Sequence, residues 1–134
     1  AESKNPLGTP RGNQNPKRSK AEVLRIVRDT KLSKSVKDDH KDTCQSCSIQ
    51  LQVPGGTYSE AAHVKPLGSP HNGPDTAENI ICLCPNCHVL FDRGSIWLDE
   101  SHTWQPSGRP LLNDQINPLD PQNSEYHRTR FGSR

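Results

Sequence analysis

The sequence predicts a small α+β domain whose apolar core is too thin to hold the fold by itself. Of the 134 residues, 29% are hydrophobic and 4% aromatic, while 12 are proline and 9 are glycine. Ordering such a chain costs more conformational entropy than so little apolar burial offsets, so an additional staple is expected. Five cysteines are present to provide it. Short β-branched runs interleave with helical patterns, which gives the α+β class.

The chain divides into four predicted segments. Residues 1–18 are rich in Pro, Gly, Asn and basic residues without hydrophobic periodicity, and they are predicted to form a basic flexible linker. Residues 19–43 are predicted to be a helical lead-in, with one helix beginning at the N-cap candidate Ser19 and a second over Thr30 to Asp39. Residues 44–106 are predicted to be the folded core, and residues 107–134, with few apolar groups, a mobile tail.

Within the core, turn residues separate short periodic segments. The expected order is a strand over 57–64, a long Pro/Gly-rich loop over 65–78, a β-branched strand over 79–83, a helix over 84–94 and a short hairpin over 95–104. Pro85 lies in the first turn of that helix and Gly94 ends it, as is typical of helix termini.

Two Cys-x-x-Cys pairs, Cys44 with Cys47 and Cys84 with Cys87, are the most specific signal in the sequence. Two residues between thiolates allow one tight turn to place both sulfurs on one ion, and two such knuckles complete a closed, structural Zn²⁺ site. Two disulfides or a redox pair are the alternatives. The N-terminal residues show no secretory signal, which favours metal ligands in a reducing compartment. Cys82 could compete as a ligand, although a small buried residue is the more ordinary role for it.

The string EAAHVKPLGSPHNGPDTAENIICLCPNCHVLFDRG, residues 60–94, resembles the HNH endonucleases, whose ββα-metal fold places two strands and a helix around one divalent ion. The resemblance covers residues 44–98. It implies that His63 is the general base, that His88 is a ligand of a catalytic Mg²⁺ or Mn²⁺ ion, and that Asn79 holds the connecting loop through hydrogen bonds to its backbone. Phosphodiester hydrolysis fits these groups, because a neutral imidazole is a good base near pH 7.

One position departs from the family pattern. Many members carry Asp directly before the first histidine as a metal ligand, and here that position is Ala62. Asp92 is the best replacement, because it lies four residues after His88 on the same helical face. Glu60 and His71 are weaker candidates. Alternation places Glu60 on the opposite strand face from His63, which suits a supporting role, and His71 lies in the Pro/Gly-rich loop, where it would touch phosphate or be solvated.

Charge and resemblance together suggest the partners. Residues 1–40 contain ten Lys/Arg against five Asp/Glu, whereas residues 41–100 contain three against seven. A basic arm before a metal-binding centre suits a grip on DNA phosphates, although a solvated linker would show the same charge. The sequence looks most similar to the HNH halves of restriction enzymes that join this domain to an SRA (YDG) reader of methylated cytosine. That resemblance implies a bacterial, cytoplasmic cleavage module detached from its reader.

Several further expectations accompany this interpretation. No run of about 18 apolar residues exists, so no membrane contact is expected. The absence of methionine indicates a processed product or a piece of a longer protein. A homodimer is compatible with double-strand cleavage. The alternative function is a non-catalytic zinc module that binds DNA or protein, in which His63 and His88 would be incidental.

Overall fold

The computed structural model describes residue 8, residues 11–15 and residues 30–132. The first predicted helix, beginning near Ser19, lies outside these residues. The α-helices and β-strands of the described residues, in chain order, are α1 (Lys31–Asp39), β1 (Leu51–Val53), β2 (Gly56–Tyr58), β3 (Glu60–His63), β4 (Ile80–Leu83), α2 (Pro85–Asp92), β5 (Trp97–Leu98), β6 (Trp104–Gln105) and α3 (Pro121–Arg130). Two short 3-10 helices, Ala77–Asn79 and Asp114–Ile116, complete the elements of this part of the chain. The predicted α+β class is confirmed. None of the described helices is long and apolar enough to cross a membrane.

The predicted second helix is present as α1. The Thr30 side chain accepts a hydrogen bond from the backbone N–H of Ser33, which caps the first turn as its residue type favours. Val36 is the buried apolar residue of this helix. Helix α1 contacts both β3 and β4, so it covers one side of the hairpin that these strands form.

Strands β3 and β4 pair antiparallel and form the centre of the domain. Glu60 lies opposite Leu83, and His63 lies opposite Ile80. All four residues of β4 are buried, because the hairpin contacts α1 and also α2. Burial on both sides explains why β4 is a continuous apolar run instead of an alternating one.

The single strand predicted over 57–64 is two strands in the structure, which corrects that expectation. Strand β2 pairs with β1, and β3 pairs with β4, so the chain changes partners at Ser59. The buried Ser59 hydroxyl donates a hydrogen bond to Asp42, and the Thr57 hydroxyl donates to the other oxygen of the same carboxylate at 2.6 Å. These two bonds hold the chain where one strand ends and the next begins.

Trp104 lies at the centre of the apolar core and joins distant parts of the chain. Its indole N–H donates to the backbone oxygen of Gln45 at 3.0 Å. Its ring meets Phe91 edge to face, with the ring centroids 5.8 Å apart. Gln45 follows the first cysteine of one knuckle, and Phe91 belongs to the helix that carries the second knuckle. The short β5–β6 hairpin therefore supplies the residue that packs the two knuckle-bearing segments together.

The prediction of a mobile tail over residues 107–134 is wrong, because the segment contains a packed helix. Residues 121–130 form helix α3, with Asp120 as N-cap and Pro121 at the first helical position. The helix buries Asn123, Ser124 and His127 instead of an apolar stripe. The His127 ring stacks on Phe91 at a centroid distance of 3.7 Å, and its Nε2 donates to the Phe91 carbonyl at 2.7 Å. Polar side chains with specific partners thus replace the apolar periodicity that would have predicted the helix.

Candidate functional site

The four knuckle cysteines come together at one point. Their sulfur atoms all lie within 4.8 Å of one another, and Sγ of Cys47 is 3.7 Å from Sγ of Cys84. Sulfurs at the corners of a tetrahedron about 2.3 Å from a Zn²⁺ ion are separated by about 3.8 Å, so the cluster has the dimensions of a zinc site. All five cysteines are thiols without disulfides, which removes the disulfide alternative for this structure.

Each knuckle is prearranged by its own backbone. The N–H of Cys47 points to Sγ of Cys44 at 3.4 Å, and the N–H of Cys87 points to Sγ of Cys84 at the same distance. The second bond also caps α2, since Cys84 is the N-cap residue of that helix. Donors of this kind stabilise a thiolate, which is the form that binds metal.

Cys82 is not part of this cluster. It is fully buried in β4, and burial raises the pKa of its thiol to about 11. It therefore stays a neutral thiol near pH 7 and serves as a small buried residue, the more ordinary of the two roles that the sequence allows.

His88 projects from α2 one residue after the last zinc ligand candidate, and carboxylates flank both edges of its ring. Nδ1 lies 2.9 Å from Oε1 of Glu60, and Nε2 lies 3.2 Å from Oδ2 of Asp92. Hydrogen bonding to Asp92, followed by that to Glu60, raises the pKa of His88 to about 8 against the opposing effect of burial. One ring nitrogen together with the carboxylate oxygen that faces it forms a pair of donors that a divalent ion can use once the ring proton has left.

The two carboxylates beside His88 differ in their surroundings. Glu60 accepts a second hydrogen bond, at 2.7 Å, from the Tyr58 hydroxyl to Oε2, and its side chain is 27% exposed. Asp92 lies at the solvent side, with 58% of its side chain exposed. A ligating histidine commonly donates its other ring N–H to an orienting carboxylate, so one of these groups can orient the ring while the other shares an ion with it.

His63 lies at the end of β3, and its Nε2 is 2.9 Å from Oδ1 of Asp75. The histidine side chain is 15% exposed and the aspartate side chain 44% exposed. Asp75 belongs to the long loop that returns the chain from β3 to β4. Nothing in the residue spacing predicts this contact, because it arises only where the loop folds back onto the strand end.

Asn79 holds both ends of that loop. Its Oδ1 accepts from the backbone N–H of Lys65 at 2.8 Å, and its Nδ2 donates to the carbonyls of Lys65 and Pro74, at 2.9 and 2.8 Å. The side chain is fully buried, so these bonds are shielded from water. Lys65 is two residues from His63 and Pro74 is next to Asp75, so the amide fixes the chain on both sides of the His63–Asp75 pair.

His71 contacts residues of helix α3 and its C-terminal end. Its Nδ1 is 2.6 Å from the Tyr126 hydroxyl, and its ring also approaches Phe131, with the ring centroids 5.5 Å apart. Both partners are at or beside helix α3. His71 is therefore half-buried against α3 and is not a freely solvated loop residue. A role as metal ligand or phosphate contact stays a prediction.

A comparison with protein families decides what this arrangement is. The family model described as HNH endonuclease matches residues 44–99, which contain both knuckles, β3, β4 and α2. Residues 44–99 of this chain are an HNH endonuclease domain. The resemblance recognised in the sequence is thereby confirmed.

Individual relatives agree with this assignment. The type IV methyl-directed restriction enzyme EcoKMcrA of Escherichia coli (strain K12) is 35% identical over 92 residues, which cover 63% of this chain and 31% of that enzyme. The solved structure of a modification-dependent TagI restriction endonuclease superimposes with a TM-score of 0.74 at 36% identity, over 81% of this chain and 40% of that one. The chain thus spans about a third to two fifths of the length of these relatives.

The matched HNH region ends before α3 begins. The helix nevertheless contacts the domain at several places: His127 stacks on Phe91 of α2, Tyr126 meets His71 of the loop, and Arg128 donates to the carbonyl of Leu98. Asp75, Tyr58 and Tyr126 are the residues near the site that sequence reasoning missed. Of these features, the sequence could have predicted only the start of α3, since Asp120 followed by Pro121 is a typical helix N-terminus.

Proposed function

We propose that this HNH domain is the DNA-cleaving module of a modification-dependent restriction enzyme, with His63 as general base and His88 and Asp92 as ligands of the catalytic ion. The main observation in support is that α2 carries residues of both sites, the cysteine cluster and the His88 group. The helix begins at a zinc knuckle residue and, one turn later, presents His88 between two carboxylates. The structural metal would therefore fix the orientation of the helix that holds the catalytic one.

The chemistry expected of the chain's own groups is proton transfer and orientation. The imidazole of His63 would accept a proton from the attacking water, and Asp75 would orient the ring and stabilise the imidazolium that forms. Asn79 would keep the two partners in register through the loop backbone. A bound Mg²⁺ or Mn²⁺ ion would supply charge stabilisation for the phosphate and the leaving oxygen.

Asp92 is proposed as the carboxylate that shares the ion, and Glu60 as the one that orients His88. Both oxygens of Glu60 already have partners, Tyr58 and His88, whereas Asp92 lies toward solvent, where an incoming phosphate would be. Asp92→Asn is expected to weaken Mn²⁺ binding at least about tenfold, and Glu60→Gln less. The opposite order in titrations of the zinc-loaded chain would assign the ligand to Glu60.

The partners of the whole enzyme belong to this proposal as well. EcoKMcrA and TagI are named as methyl-directed and modification-dependent enzymes. This chain spans less than half of either, so an additional reader of modified cytosine, of SRA type, is proposed to supply the specificity. A cytoplasmic bacterial location and a dimer at a double-strand cut follow from the same proposal.

The deciding experiment is cleavage of supercoiled plasmid by the purified, zinc-loaded chain in Mg²⁺ and in Mn²⁺. Wild type is expected to nick the plasmid, whereas His63→Ala should reduce the rate at least about 100-fold and EDTA should abolish it. Glu78→Gln, at an exposed position of the same β3–β4 connection, is the matched control and should cleave like wild type. Equal inertness of wild type and His63→Ala, with zinc bound and the fold intact, would favour a non-catalytic zinc module.

A further inference from the structure

The loop between β3 and β4, which brings Asp75 to His63, folds back onto its own first residues. We call residues 65–66 the root of the loop and residues 71–72 its tip. The backbone N–H of Gly73 donates to the carbonyl of Pro66 at 2.7 Å. A Cβ atom at Gly73 would lie only 2.0 Å from the carbonyl oxygen of Lys65, so the two segments touch backbone to backbone. Displacement of the loop tip would therefore be transmitted to the segment that positions Asp75.

The tip of this loop rests on helix α3. The His71 Nδ1 atom is 2.6 Å from the Tyr126 hydroxyl, and the two rings meet edge to face with centroids 5.7 Å apart. At this distance the ring nitrogen and the hydroxyl form a strong hydrogen bond. The loop tip is thus attached to a helix that lies outside the matched HNH region.

The same tyrosine also contacts the root of the loop. The Lys65 ammonium lies over the Tyr126 ring, 4.7 Å from its centroid, which is within the range of a cation–π interaction. Lys65 is the residue whose backbone Asn79 binds, two positions after His63. One side chain of α3 therefore touches the loop at its tip and at its root.

Helix α3 is itself packed against α2, the helix that carries His88 and Asp92. His127, the residue after Tyr126, stacks on Phe91 with the ring planes 2° apart and donates to its carbonyl. Arg128 donates to the carbonyl of Leu98 at 3.0 Å, which ties the helix to β5 as well. Tyr126 therefore lies on a helix that is held in place by contacts with Phe91, the residue before Asp92.

We propose that Tyr126 is a positioning residue, which holds the loop so that Asp75 stays against the base His63. This inference rests on the proposed nuclease function. It extends the functional unit beyond residues 44–99, because α3 then controls the geometry of the base from one side and contacts the metal-binding helix from the other.

Tyr126→Phe tests the proposal in the full zinc-loaded chain, because it removes the hydroxyl and keeps the ring under Lys65. The expected result is a fall in kcat of about threefold to tenfold, the range that the net loss of one hydrogen bond corresponds to, with KM unchanged and the melting temperature lowered by only a few degrees. Amide hydrogen exchange in residues 65–75 should accelerate, while exchange in β4 and α2 stays at its wild-type rate. Thr129→Val is the matched control, since that exposed hydroxyl bonds only within its own helix.

A conservative replacement at the other partner completes the test. His71→Asn places an amide oxygen near the position of Nδ1 and should retain cleavage, whereas His71→Ala should behave like Tyr126→Phe and add nothing when combined with it. Unchanged exchange of the loop in Tyr126→Phe, or faster exchange with unchanged kcat, would overturn the proposal. If wild type does not cleave, the proposed function fails, and the exchange comparison still decides whether α3 holds the loop.

Discussion

Nε2 of His63 lies 2.9 Å from Oδ1 of Asp75, twelve residues further along the chain and across a Pro/Gly-rich loop. This pair links the end of β3 to the loop that leads into β4. The Asp75 carboxylate thereby fixes the orientation of the proposed base, although the spacing of residues in the sequence does not predict this contact.

Removal of that carboxylate should slow cleavage without unfolding the domain. Asp75→Asn keeps the size of the side chain but not its charge, so the imidazolium formed during the reaction loses its partner. We expect kcat to fall about threefold to tenfold, a modest effect because the carboxylate is 44% exposed and partly screened by water. The measurement is single-turnover plasmid cleavage at pH 7.5. An unaltered rate would show that Asp75 has no part in orienting the base.

Substitution of a zinc ligand should unfold the core. A structural Zn²⁺ site contributes on the order of 10 kcal/mol, which is comparable to the whole stability of a typical domain. Cys47→Ser and Cys87→Ser are therefore expected to lose zinc, together with cooperative melting by circular dichroism. Cys82→Ser is the matched control, because that buried thiol lies outside the cluster and should leave one zinc ion bound per chain. A ligand variant that melted like wild type without zinc would contradict the structural role of the site.

Binding of the proposed catalytic ion should depend on pH through His88. The pKa of His88 is raised to about 8, so below that pH the ion must displace a proton. Mn²⁺ affinity should therefore fall by about tenfold per pH unit as the pH is lowered from 8. The proton released can be measured by calorimetry in buffers of different ionisation enthalpy. Asp92→Asn removes the main cause of the raised pKa, so it should move the dependence to lower pH.

In the absence of that ion, His88 should stabilise the fold more at low pH than at high pH, whereas ion binding is stronger at high pH. The folded state binds the His88 proton more tightly than the unfolded chain does, since the pKa is raised from 6.5 to about 8. This contribution is fully present below pH 6.5 and is lost as the pH rises through 8. Saturating Mn²⁺ should replace it at pH 8, and urea unfolding with and without the ion would show the exchange.

His127 should make the fold sensitive to acid. Burial lowers the pKa of this ring, which stacks on Phe91, so the folded state holds a neutral imidazole. The unfolded chain takes up a proton near pH 6.5, and stability should therefore decline as the pH falls below that value. His127→Gln should be less stable than wild type at pH 7.5 and should lose less stability between pH 7.5 and 5.5. Parallel urea midpoints for the two proteins across this range would contradict the assignment.

The central elements could be predicted because each has a local cause. Cys-x-x-Cys turns, the β-branched run of β4 and the Pro85 start of α2 are all determined within a few residues. The side-chain contacts of Asn79 with the loop backbone agree with what the family resemblance implied. Their catalytic role stays a prediction, as do the roles of His63, His88 and Asp92.

The remaining features depend on contacts between distant residues. Helix α3 buries His127 and Ser124 through specific partners instead of an apolar face, so a periodicity search finds no helix there. The change of strand partner at Ser59 depends on Asp42, seventeen residues earlier. Asp75 and Tyr126 reach the site only because a loop folds back. None of these contacts leaves a pattern in the local sequence.

The intrinsic fluorescence of Trp104 should report whether the two zinc knuckles are intact. Its indole N–H is bonded to Gln45 beside the first knuckle, and its ring meets Phe91 of the helix that carries the second. The side chain is 1% exposed, so its emission should be blue-shifted while both contacts persist. Chelation of zinc would release both neighbours at once, and the resulting red shift would report loss of the metal and loss of the fold as a single optical event.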